Sequence, residues 1–350
     1  MTEQSPISTI TPTYLTDVLR KAQILGACEV CRVVQERLGG SPHSYLHLSY
    51  SAAVPCEAPQ RLFMKVGRQG QGYNSREAVF YRKMAHLISP LVTAKCYTIF
   101  EQQDGSIAIF LQDVSETHVS GMNLDFPPPD PQCLTALNTL ARFHAFWWEE
   151  PSTCENHLAR YLTSEETYLR FVERDLAYGW QRFVDRFSDC VTEERRLACD
   201  AALRELPALW HTYFIDRLEK RCGLTLNHGD LHPGNLLFPK DPNRGNVLFA
   251  DMEAYRVDLP TADLSMLIAL HWSQDPGVAL HLLRHYHEAL CSYGVDDYSW
   301  EMLLQDYRVS MLFACFFPHY LLSIGIEDVA MFDAGVDALM AWSSITPPGQ

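Results

Sequence analysis

The chain has 350 residues, 47% of them apolar and 20% charged. That is ample for two packed lobes or domains and rules out a disordered, highly charged chain. Lys and Arg number 28 against 43 Asp and Glu, a formal charge of −15, which argues against phosphate-backbone binding to nucleic acid, since that affinity comes from clustered basic residues. The 11 cysteines are an odd number, and the start Met-Thr-Glu-Gln-Ser-Pro has neither a basic nor an apolar leader region, so free thiols and a cytoplasmic location are expected. Cys28 and Cys31 lack the second pair or the thioredoxin-like context that a zinc or redox role needs, and read as buried or half-buried thiols beside a strand.

In chain order, residues 29–36 and 45–51 are β-branched or aromatic runs that predict two strands. Leu38-Gly39-Gly40-Ser41-Pro42-His43-Ser44 joins them. Gly39, Gly40 and Ser41 are candidate cofactor-binding residues, because small side chains let backbone N–H groups approach phosphate oxygens. No G-x-G-x-x-G occurs there, and a plain hairpin turn fits as well. Residues 61–66 predict a third strand, with Lys65 near its end. Gly70-Gln71-Gly72 with Ser75 looks like part of a dinucleotide fingerprint, but the third glycine is missing and no β-α-β alternation surrounds it. It reads as a link. Helical spacing over 75–87 puts Ala78, Tyr81, Ala85 and Ile88 on one face, with Glu77 at the start. Residues 97–100 and 107–112 flank Gln103-Asp104-Gly105, a hairpin signal. Residues 108–114 then read as a hinge, where Asp113 is either a hinge residue or a solvated strand end.

Beyond Asp113 the texture changes. Gly121 and Phe126-Pro127-Pro128-Pro129 form a linker. Leu134, Leu137, Ala141, His144 and Trp148 repeat at helix period, as do stretches within 155–218, 262–272, 276–291 and 298–316. The most apolar stretch, residues 309–326, is interrupted by Pro318 and His319 and has no basic flank, so a buried helix pair is expected there and no membrane span. Strands first and helices after argue against an alternating parallel sheet.

The densest chemistry lies in residues 226–238, Leu-Asn-His-Gly-Asp-Leu-His-Pro-Gly-Asn-Leu-Leu-Phe. Asp230 and Asn235 are separated by four residues, and the predicted strand 246–250 ends on Asp251-Met252-Glu253. Phosphoryl transfer needs a carboxylate that orients the attacking hydroxyl and two oxygen ligands for Mg²⁺ from different segments. Protein kinases spell these H-R-D-x-x-x-x-N and D-F-G. Here Gly229 replaces the Arg, and Asp-Met-Glu replaces Asp-Phe-Gly. The set marks Asp230 as candidate catalytic residue and Asn235 and Asp251 as candidate metal ligands. Lys65, held by Glu77, is the candidate phosphate contact.

This variant, His-Gly-Asp-x-His-x-x-Asn, resembles the aminoglycoside phosphotransferase and choline kinase superfamily, from about Leu62 to Leu264. Glu77-Ala-Val-Phe-Tyr81 is similar to the matching helix of its ecdysteroid-kinase-like branch. Pro260-Thr261-Ala262-Asp263-Leu264 resembles its Pro-x-x-Asp-Leu segment, where the Asp braces the catalytic loop. Leu140-Ala-Arg-Phe-His-Ala145 resembles its long central helix, in which His144 is a satisfied core histidine. The resemblance implies that His228 supports the loop from behind by hydrogen bonds to backbone. It implies an α+β, bilobal protein-kinase-like fold, with a strand-rich nucleotide-binding N-lobe over 1–112 and a helical C-lobe over 113–350 carrying the catalytic loop and acceptor site.

The expected activity is transfer of a phosphoryl group from ATP, or GTP, with Mg²⁺, to a hydroxyl of a small molecule. Glu253 reads either as a contact to a second metal or the acceptor, or as a supporting residue. The alternatives are a pseudokinase that binds nucleotide without turnover, and a protein kinase. The intact set of five candidates argues against the first, and the short chain between Asp251 and Asp263 leaves the second no obvious activation segment. No nucleic-acid or membrane partner is expected. Glu253, Asp258 and Asp275 lean toward a cationic or polyhydroxylated acceptor, with Trp147, Trp148 and Trp272 as aromatic candidates or core filling. The Glu77–Tyr81 resemblance leans toward a more apolar alcohol. His281, His285 and His287 read as a solvated helix face with no carboxylate beside them.

Overall fold

A computed structural model describes residues 10–343 except 56, 68–72, 89–91, 102–104, 125–129, 151–175, 211–212, 214, 221 and 324. The Gly70–Gly72 link, the turn at Gln103 and Asp104, the Phe126–Pro129 linker and residues 155–175 of the helical stretch lie outside the described residues. The chain divides into two compact units. The first runs to His118 and also includes Leu248–Glu253; the second comprises Val119–Val247 and the chain from Ala254.

The first unit is strand-rich. Its five antiparallel strands are β1 (Val30–Arg37), β2 (Ser44–Tyr50), β3 (Arg61–Gly67), β4 (Cys96–Glu101) and β5 (Ile107–Gln112), in the order β1-β2-β3-β5-β4. β3 is therefore central, with Lys65 opposite Ile109 of β5. Strand side chains alternate between faces. Leu62, Met64 and Val66 of β3 enter a core with Leu46, Leu48, Ala108 and Phe110, covered by Leu15 and Leu19 of helix α1 (Pro12–Lys21). The sequence reading had no helix there, although the signals are present: Thr11 caps the Tyr14 amide, Pro12 fills the first turn, and Arg20 and Lys21 close the last. Helix α2 (Tyr73–Lys83) carries Glu77, and a short 3₁₀ turn, Ala85–Leu87, ends the helical stretch.

The second unit is largely helical. Helix α3 (Asp130–Phe146), in which Leu137, Leu140 and Phe143 are buried, packs against the helix Pro276–Ser292. The apolar stretch from Val309 forms the end of helix Trp300–Ala314 and the helix Phe317–Ser323, with Pro318 in the first turn of the second. Among the described residues no helix is long and apolar enough to cross a membrane. A two-stranded antiparallel ladder, Thr225–Asn227 with Arg256–Asp258, frames the catalytic-loop motif from both sides. The molecule thus has mixed helix and sheet, with the sheet in the N-terminal part and the helices in the C-terminal part.

Candidate active site

In the first unit, alternation along β3 turns Lys65 away from the sheet core, and its side chain is 11% exposed. Nζ lies 2.6 Å from Glu77 Oε2 and 2.6 Å from Asp251 Oδ1. Burial alone would push the ammonium down. The two carboxylates outweigh it and raise the group above its ordinary value, so Lys65 is charged at neutral pH. Asp251 adopts φ +60, a left-handed conformation costly for a side chain with a Cβ. Neighbouring contacts hold it there. Phe249 N donates to Val92 O at 2.7 Å, Thr93 bridges Phe249, and the buried Tyr81 of α2 hydrogen-bonds Thr93. The Met252 amide bonds Glu77. The strand expected over 246–250 is only Leu248–Phe249. Glu77, Asp251 and Glu253 bring carboxylate oxygens within 4.8 Å of one another, a hard-oxygen donor set that suits Mg²⁺.

His43, which follows the Gly39-Gly40-Ser41 turn, lies within electrostatic reach of Lys65 and Asp251. Its Nδ1 accepts the Val66 amide at 3.2 Å, and burial first, then Lys65, lowers its ring below the ordinary histidine range against the opposing charge of Asp251. The neighbouring turn explains Gly39, which sits at φ +55. Ser41 N donates to Leu38 O, and Ser41 Oγ accepts from His43 N at 3.1 Å. The hydroxyl is thus engaged within the turn. A Cβ at Gly39 or Gly40 would meet nothing within 4 Å.

In the second unit, the loop after Asn227 is held almost entirely through backbone. Asp263 Oδ2 accepts from the His228 amide at 2.7 Å and Oδ1 from the Gly229 amide at 2.9 Å. Asp263 is itself 1% exposed. Burial pushes its carboxyl up, but His144, His228 and the Gly229 amide together hold it below the ordinary range. His144 reaches it at 3.3 Å and bonds Tyr286 through the other nitrogen at 2.7 Å. It is a buried, satisfied histidine that also supports the brace. Gly229 has φ +84, and a Cβ there would sit 2.2 Å from the Ala254 carbonyl oxygen. Its own carbonyl accepts from Arg256 Nη1 at 2.8 Å, so a guanidinium from the next ladder strand supports the loop where kinases place Arg in the motif itself. Asp230 N donates to His228 Nδ1 at 3.3 Å, a backbone bond of the kind expected for His228. Asn235 donates through Nδ2 to the Asp230 carbonyl at 2.9 Å, which directs its amide oxygen elsewhere, available as a neutral ligand.

The structure therefore gathers Lys65, Glu77 and Asp251 in one cluster, and Asp230 and Asn235 in one loop. Several other residues have different roles from those expected. Cys31 is exposed, not half-buried. Asp113 pairs with Arg61 and accepts the Ser115 amide at 2.9 Å, so it is not a solvated strand end. Asp258 pairs with Arg256 at 2.9 Å and Asp275 caps helix Pro276–Ser292, which engages two of the three acidic residues offered for a cationic acceptor. His281 does have a carboxylate beside it, Asp130 at 3.1 Å. Trp147 and Trp272 are core residues, and Trp148 packs on Tyr298 with ring centroids 5.0 Å apart.

No curated protein matches the chain. Similar solved structures include a thermostable mutant of aminoglycoside phosphotransferase APH(4)-Ia, at 12% identity and TM-score 0.47, covering 97% of this chain and 100% of that one. An ethanolamine kinase from Plasmodium vivax has 11% identity and TM-score 0.46, with coverages of 89% and 81%. A microcompartment-associated aminopropanol kinase has 12% identity and TM-score 0.42, with 95% of each chain covered. The family model described as "Phosphotransferase enzyme family" matches residues 56–301, well over half of the chain and inclusive of Lys65, Glu77, the His228–Asn235 loop and Asp251. The protein belongs to this phosphotransferase enzyme family.

Proposed function

We propose that the protein transfers the terminal phosphoryl group of ATP, or of GTP, to a hydroxyl of a small molecule. The observation that carries this reading is the buried Lys65 ammonium held between Glu77 and Asp251. A charged, oriented Lys of this kind suits the α- and β-phosphates, where its role is electrostatic and needs no proton exchange. Glu77 fixes its direction. The Gly39-Gly40-Ser41 turn is proposed as a second phosphate approach; with no side chain at Gly39 or Gly40, only backbone would stand near the phosphates.

Asp251 and Asn235 are each proposed as Mg²⁺ ligands, one anionic and one neutral; when bound, the metal neutralises charge on the transferring group. Glu253, in the same oxygen cluster as Asp251, is proposed as an additional ligand. Asp230 orients the acceptor hydroxyl and takes its proton as the oxygen attacks. In a loose transition state this positioning matters more than base strength. The rigid loop serves that role: Asp263 and Arg256 fix the residue before Asp230, while His228 and Asn235 fix the amide and carbonyl of Asp230 itself.

Thermal unfolding tests the reading. Mg·ATP or Mg·GTP is expected to raise Tm, because a ligand that binds only the folded state stabilises it by mass action, and EDTA is expected to remove most of the rise. Stabilisation by NAD or NADP with none from either Mg-nucleotide would overturn it.

A further inference from the structure

The 3₁₀ turn Pro233–Asn235 starts on His232, which caps it: Nδ1 accepts the Gly234 amide at 3.1 Å. Gly234 permits the ring to sit there, since a Cβ would stand 2.6 Å from its Cε1 and 3.0 Å from its Nδ1. Histidine is an unusual residue at such a start, where Asn, Asp, Ser or Thr accept the same kind of amide. Those side chains would serve the turn alone. The imidazole adds a second nitrogen on the opposite side of its ring.

With Nδ1 accepting, the ring proton is on Nε2, and that nitrogen is a donor. It lies 4.0 Å from Asp230 Oδ2. A closing of about 1 Å would make this an ordinary hydrogen bond, and catalytic hydrogen bonds are often long until the reacting complex forms. The backbone on both sides is already set. Asp230 N donates to His228 Nδ1, while the Asp230 carbonyl accepts from Asn235 Nδ2 and, at 3.1 Å, from His232 N. The Asp230 carboxylate has no such restraint of its own, and both side chains are about a third exposed, so neither is locked by packing. The ring of His271, on the π-helix Ser265–Trp272, lies 6.1 Å from that of His232. Burial first, then the charge of His232, lowers it to about 4, with Asp328 opposing, so at neutral pH it adds no charge beside the pair.

Resting on the phosphotransferase reading, we infer that His232 is a positioning residue for Asp230: its Nε2–H bonds Oδ2 when the acceptor is in place and so leaves the other oxygen, Oδ1, turned to the acceptor hydroxyl. The hydroxyl proton passes to Oδ1 as the oxygen attacks. The imidazole keeps its own proton throughout and acts only through the carboxylate. One ring thus ties the turn that carries Asn235 to the direction of the Asp230 side chain.

Two substitutions separate the two nitrogens. By bond count Asn places a polar atom where Nδ1 stands, so His232→Asn keeps an acceptor for the Gly234 amide and loses the donor to Asp230. Gln reaches the Nε2 position, so His232→Gln keeps the donor and loses the cap. ADP release from Mg·ATP would be followed for the full-length protein with ethanolamine, glycerol, cyclohexanol and water as acceptors, taking the fastest. His232→Asn is expected to lower kcat by about tenfold or more with the KM for Mg·ATP unchanged, the scale of a misplaced catalytic group. His232→Gln should retain the larger part of kcat. In an Asp230→Asn background His232→Asn should add little further loss, because the carboxylate it acts through is gone. If His232→Gln does not fold for want of its cap, that comparison between backgrounds decides the matter. Full activity in His232→Asn, equal losses in the two variants, or additive losses with Asp230→Asn would overturn the assignment; the first two would leave His232 as a cap alone. Failure of the wild type to bind Mg-nucleotide, or to release ADP with any of these acceptors, would instead remove the phosphotransferase reading on which it rests.

Discussion

At the scale of single residues, the surroundings of Asp230 and Lys65 differ in a way that separates their proposed roles. Lys65 is buried and doubly paired, whereas Asp230 is about a third exposed and its carboxylate has no hydrogen bond closer than the 4.0 Å approach of His232 among the described residues. Asp230→Asn keeps the size and the backbone bonds of the loop. It is expected to leave Mg-nucleotide affinity nearly unchanged and to lower kcat by about 10²-fold or more, the usual scale for losing a positioned acid–base group. Isothermal titration and steady-state assays separate the two effects, and equal weakening of both would contradict the role. Asp230, Asn235 and Asp251 could be proposed from the sequence alone because they lie close together in it and follow a spacing that phosphoryl transfer requires. Lys65 and Glu77 were legible only with that motif in hand. The surroundings of His43 could not be read, because they come from tertiary neighbours, the Val66 amide and Lys65.

At the scale of elements, the His228–Asn235 loop depends on one backbone conformation. Gly229 sits at φ +84 with the Ala254 carbonyl pressed against it and Arg256 bonded to its own oxygen. Gly229→Ala must distort that approach. It is expected to destabilise the fold by about 1–3 kcal/mol, the scale of a strained φ, and more if the ladder cannot yield. Urea denaturation measures this, and the same variant should lose turnover faster than it loses nucleotide binding. A neutral substitution would mean that the loop is looser than its hydrogen bonds imply. The sheet and the helical period of α2 and α3 could be read from alternation and spacing. α1 gives a weaker signal, since it is ten residues long and only Leu15, Val18 and Leu19 of its apolar side chains are buried. The π-helix could not be read at all, since Ser265–Trp272 is apolar nearly throughout and carries no period that separates one helix type from another.

At the scale of the whole molecule, acid stability is set in part by a residue far in sequence from the motif. His319 is 2% exposed, neither ring nitrogen has a hydrogen-bond partner among the described residues, and Trp180, Phe183, Phe316 and Phe332 surround it. Burial lowers its ring to about 3. A group with a depressed folded value takes up its proton first in the unfolded chain. Its penalty is absent above the unfolded value, near 6.5, and grows as pH falls from there toward about 3. Between pH 7 and pH 5 this one side chain is expected to remove about 2 kcal/mol of stability. Denaturation midpoints of wild type and His319→Leu at the two pH values give the difference directly. The variant should show the smaller loss, and parallel losses would rule His319 out as the source.

The assignment of Leu248–Glu253 to the first unit has a consequence for modularity. The chain passes between units at 118/119, 247/248 and 253/254, not once. The carboxylate that meets Lys65 therefore arrives on a six-residue excursion from a segment that otherwise belongs to the second unit. A fragment ending at His118 would carry the Lys without Asp251, and would lack the bridge from Phe249 to Thr93 that closes the sheet unit on that side. The sheet-rich unit is thus not an exchangeable cassette. It cannot be cut out, grafted or inherited by fusion at a single joint, because one of its charged residues is encoded inside its neighbour.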